Sequence, residues 1–202
     1  MRSSIHPTVE DIKNFAAASI VTAAAFTAYK STGLQQAPYI LLLSSLVILS
    51  REIGQRMVAH WMDAYIELKL SVEGSATTLF AAFIAIITDI SAILLFPLTS
   101  SFSGKKYEHW GKSIDAIWAK RQYWLTMGGL TTLFAAWYLA YTFQYQLLAE
   151  LASMFLFFQL MPFDYKDIPT SKLDGAYILL WSGQTWLITM GVTIISLVLT
   201  FY

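Results

Sequence analysis

Ser50-Arg51-Glu52-Ile53-Gly54-Gln55 interrupts an apolar run that begins at Tyr39. A single charge at the centre of a membrane helix costs about 2.5–3.5 kcal/mol on insertion scales. Arg51 and Glu52 stand side by side, so this helix is expected to face a bundle interior and to find a partner there. Far downstream, Lys172-Leu173-Asp174-Gly175 supplies a carboxylate that can meet Arg51. The pair of stretches points to a fold built around buried polar groups rather than around an apolar core alone.

The surrounding composition sets the class. The chain has 202 residues, 56% of them hydrophobic and only 13% charged. Its mean hydropathy is +0.54. Such a composition belongs to membrane proteins. A membrane-crossing helix needs about 20 mostly apolar residues, and several stretches qualify. Formal net charge is zero, so global electrostatics implies no nucleic-acid partner. There are no cysteines, which excludes disulfides, thiol catalysis and iron–sulfur clusters. No cleavable targeting segment is expected in Met1-Arg2-Ser3-Ser4-Ile5-His6-Pro7, which lacks an apolar core.

Along the chain, the first apolar segment covers residues 15–29 and is alanine-rich, ending before the break at 33–38. The second covers 39–60 and carries Arg51, Glu52, Gln55 and Arg56. Ile66-Glu67-Leu68-Lys69-Leu70-Ser71-Val72 then alternates apolar with polar, the pattern of a half-buried strand. That strand is either an internal sheet edge or a docking edge for a partner, presenting Ile66, Leu68, Leu70 and Val72. Residues 77–98 are apolar except for Asp89, and either cross once or form a re-entrant hairpin broken near Asp89. The re-entrant form puts nearly all lysines and arginines on one side, which the positive-inside rule assigns to the cytoplasm. Asp89 fits a capping role at such a break or, less simply, a proton relay.

Residues 100–106 read as a polar loop. Trp110, Ile114, Ile117 and Trp118 beside Lys112, Lys120 and Arg121 read as a basic amphipathic helix at the interface. Further apolar segments cover 124–143 and 147–161. A polar loop at 162–172 precedes the last span, 176–202, whose Trp181, Trp186 and Tyr202 suit interfacial belts. The expected fold is an all-α polytopic membrane protein with about five to six transmembrane segments, the one over 77–98 either crossing or re-entrant. It carries one short strand after the second helix and forms a single domain over 1–202.

Arg51-Glu52-Ile53-Gly54-Gln55 resembles the metal-binding helix of the site-2 protease family of intramembrane zinc proteases, which carries H-E-x-x-H. Leu160-Met161-Pro162-Phe163 followed by Leu173-Asp174-Gly175 is similar to that family's N-L-x-P…L-D-G motif, whose aspartate is the third zinc ligand. Gly128-Gly129-Leu130-Thr131-Thr132 falls where the family has a G-P-x-x-N helix start. The resemblance covers residues 38–190. It implies a zinc site at positions 51, 55 and 174, with Glu52 as general base.

The residues present change that chemistry. Arg51 and Gln55 replace the two histidines. Catalytic zinc takes three protein ligands, from imidazole, thiolate or carboxylate, plus an open position. A guanidinium stays protonated and has no lone pair to give. No bound metal or other cofactor is therefore expected, and no catalytic residue. Arg51, Glu52, Gln55 and Asp174 are expected instead to form a structural polar cluster, with Arg51 bonded directly to Asp174. The alternative local reading has Arg51 snorkelling to the interface.

The implied function is that of a non-catalytic accessory subunit. It would pack the transmembrane helices of a larger complex, with the small residues Ala16, Ala17, Ala18, Ala23, Ala24 and Ala25 as a contact face. The alternatives are an intramembrane metalloprotease with an atypical metal site, and a proton path through Arg51, Glu52, Asp89 and Asp174. Partners are expected to be the lipid bilayer and other integral-membrane subunits, in a cell membrane with the basic loops cytoplasmic.

Overall fold

The computed structural model describes residues 7–31, 34–88, 93–104, 114–162 and 173–202. Among these the protein is mostly helical, with a small two-stranded sheet. Helix α1 spans Val9–Tyr29. It starts where Thr8 and Asp11 bond each other's backbone N–H groups, a reciprocal cap that fixes the first turn. Helix α2 spans Ala37–Trp61 and carries Arg51, Glu52 and Gln55 on a largely buried stretch. Pro38 sits in its first turn, where a missing N–H costs nothing.

Strand β1, Ala64–Leu70, follows directly. Its alternation sends Ala64, Ile66 and Leu68 into the core. The strand ends earlier than its pattern suggested. Val72 is the first residue of α3 (Val72–Thr88) and is exposed. The polar loop expected at 100–106 is instead largely strand: β2, Leu98–Gly104, pairs antiparallel with β1, setting Leu68 opposite Ser100 and Leu70 opposite Leu98.

This pairing decides how the apolar stretch after β1 is traced. The Ser71 N–H donates to the Pro97 carbonyl at 3.0 Å. The Phe96 N–H donates to the Thr78 hydroxyl at 3.0 Å. The chain therefore leaves the sheet through α3 and returns to the level it left. Gly74 permits the return path, since a Cβ there would lie 1.9 Å from the Phe96 carbonyl oxygen. Asp89 lies outside the described residues.

Helix α4 spans Ile114–Thr142, so the expected interfacial helix and the fourth segment are one continuous element. Trp110 and Lys112 lie outside the described residues. Gly128 and Gly129 fall inside α4 and do not start it. They serve its crossing with α2. A Cβ on Gly54 would meet Thr132 Oγ1 at 2.2 Å and the Gly128 carbonyl oxygen at 2.3 Å. The Thr132 hydroxyl donates across the crossing to the Ser50 carbonyl at 2.7 Å.

Helix α5, Gln146–Gln159, is buried on nearly all sides between α2, α4 and α7. The expected last span is two helices, α6 (Asp174–Trp181) and α7 (Gly183–Phe201). Ser182, in extended backbone, ends one and caps the other by accepting from the Thr185 N–H. Among the described residues, two helices, α2 and α7, are long and apolar enough to cross a membrane, judged by length and composition.

The α2–α4 crossing gives a direct test. Gly54→Val is expected to lower stability by about 1–3 kcal/mol through overpacking. Gly191→Ala on α7, where an added Cβ meets nothing within 4 Å, is expected to leave it unchanged or slightly raised. Thermal unfolding of the purified variants distinguishes the two.

Candidate functional site

Arg51 leaves α2 toward the first residue of α6. Its Nε donates to Asp174 Oδ2 at 2.7 Å and its Nη2 to Asp174 Oδ1 at 2.6 Å. Both side chains are fully buried. Two parallel charge-assisted bonds of this kind are about twice as strong as neutral ones and fix orientation as well. Asp174 also lies at a helix N-terminus, where the peptide dipoles favour a negative charge.

Glycines bring the neighbouring backbones to the pair. A Cβ on Gly175 would lie 1.9 Å from the Leu160 carbonyl oxygen, so the start of α6 sits directly on the end of α5. Trp186 Nε1 donates to that same carbonyl at 2.8 Å and holds α7 beside it. On the other side, a Cβ on Gly129 would lie 3.2 Å from Arg51 Cγ and 2.6 Å from Gln55 Cγ. Helix α4 thus lies across the aliphatic stem of Arg51, which leaves no path for it to reach an outer surface.

The remaining members of the expected cluster part company. Glu52 turns to Arg56, whose Nε donates to Glu52 Oε1 at 2.7 Å. Arg56 also pairs with Asp11 at 3.1 Å. Asp11 Oδ1 accepts from the Leu68 N–H at 2.9 Å, and Asn14 Nδ2 donates to the Leu68 carbonyl at 2.8 Å. Gln55 instead reaches β2, accepting from the Ser100 hydroxyl at 2.8 Å. The Tyr177 hydroxyl approaches the Ser100 carbonyl at 3.4 Å. Three groupings result: Arg51–Asp174 deep inside, Gln55–Ser100 at the sheet, and Glu52–Arg56–Asp11 near the start of α1.

These contacts correct the docking edge. Ile66 and Leu68 are buried, and α1 occupies the backbone groups of Leu68 through Asp11 and Asn14. Val72 lies beyond the strand. The β1 edge is thus closed at Leu68 by side chains from its own chain. Asp11, Arg56, Ser100 and Tyr177 carry much of the site and were not assigned to it from sequence. Arg56 had a signal, standing four residues after Glu52, and Asp11 stands three after Thr8, the spacing of a reciprocal cap.

A zinc ion does not fit these residues. Both oxygens of Asp174 are taken by Arg51. At the two positions where the resemblance implies histidines, the unpartnered atoms, Arg51 Nη1 and Gln55 Nε2, are N–H donors, which repel a cation. Among the described residues no three His, Asp or Glu side chains converge as a metal site. His6 and His109 lie outside the described residues. Comparison with family models, curated proteins and solved structures finds no match for this chain.

The α1 assembly has a pH signature. Burial pushes the Asp11 carboxyl up. The N–H groups of Thr8 and Leu68, the Thr8 hydroxyl and the Arg56 guanidinium outweigh it and hold Asp11 below the usual carboxylate value. A group lowered on folding contributes stability above its unfolded pKa, about 3.9, and loses it as pH falls through the lower folded value. Asp11→Asn is therefore expected to reduce stability at pH 7 and to flatten the decline below about pH 4. Thermal unfolding midpoints at pH 7, 5, 4 and 3 for both proteins check this; parallel curves would contradict it.

Proposed function

We propose that this protein is a non-catalytic integral-membrane subunit, with a site-2-protease-like scaffold, that packs the transmembrane helices of a larger complex. The observation that carries the reading is the guanidinium on both oxygens of Asp174. Where the resembling family would bind a metal, this chain has a neutral, closed ion pair that cannot activate water.

The membrane part rests on an inverted surface. Helix α7 buries Thr189, Thr193, Ser196 and Thr200 and exposes Leu187, Ile188, Ile195 and Val198. Helix α3 buries Gly74, Ser75 and Thr78 and exposes Phe80, Phe83, Ile86 and Ile87. In water the apolar face would turn inward. In lipid, small and hydroxyl residues make the close contacts. The hydroxyls are satisfied within α7 itself: Thr193 donates to the Thr189 carbonyl at 2.9 Å, and Thr200 to the Ser196 carbonyl at 2.7 Å. Helix α3 leads away from the sheet and residues 93–97 lead back to it, which favours the topology in which the basic loops share the cytoplasmic side.

The partner part rests on the surface of α1. An apolar groove of about 820 Å³ runs beside it, lined by Ala23, Ala24, Ala28, Pro38, Leu41 and Ala85. Its small side chains suit the close approach of another membrane helix. Mild-detergent extraction from native membranes, followed by size analysis and zinc determination, tests the proposal. The expected result is a defined complex larger than the chain, no stoichiometric zinc, and no cleavage of a transmembrane peptide by the isolated chain. A free monomer, or zinc lost on Asp174→Ala, would overturn it.

A further inference from the structure

We draw no further inference here: the strongest candidate, the apolar groove that Ala24, Thr27 and Ser31 of α1 form with Pro38 of α2 and Ile86 of α3, carries nothing beyond the helix packing already proposed for it, because nothing in the structure shows what covers it.

Discussion

The structure depends on one buried pair of charges that leave each other no freedom. Arg51 and Asp174 are fully buried and joined by two short parallel bonds. Taking either charge out of water alone costs several kcal/mol, so neither position is tolerable without the other. The pair ties the middle of α2 to the first residue of α6. Gly175 then seats α6 on the end of α5, and Gly129 lays α4 over the arginine stem. Four helices are registered by a single ion pair and the glycines around it. A buried pair of this kind specifies arrangement more than it adds net stability.

Around that centre the polar groups are sorted by depth. Gln55 and Ser100 connect α2 to the sheet, and Glu52, Arg56 and Asp11 connect it to α1. At the opposite end of α1, Lys30 pairs with Glu150 of α5, and Gln146 donates to the Thr200 carbonyl at 2.8 Å. Helices α3 and α7 turn small and hydroxyl residues inward and large apolar residues outward. Such packing supports the proposed membrane setting, because burying more hydrocarbon gains little in an apolar solvent.

Much of this was legible from residue patterns. The alternation after the second helix announced β1, and the adjacent charges at 51 and 52 announced a buried partner. Asp174 offered that partner by charge and depth. Other parts were hidden for physical reasons. Strand β2, Leu-Thr-Ser-Ser-Phe-Ser-Gly, has no clean alternation, because its formation depends on β1 rather than on its own pattern. The break at Ser182 lies inside a continuous apolar run, where hydropathy is blind to a cap. The glycines at 128 and 129 resemble a helix boundary in sequence, yet serve a helix crossing that exists only once α2 is beside them. The separation of Glu52 from Arg51 was the least visible, since neighbours in a helix point to different faces.

The central claim is that Arg51 and Asp174 act as one structural unit. A double-mutant cycle of unfolding stability in lipid nanodiscs, using Arg51→Met, Asp174→Leu and the combination, measures it most directly. Each single change should cost about 3–5 kcal/mol, the penalty of an abandoned buried charge, and the combined change should cost far less than their sum. Strict additivity of the two losses would contradict the account.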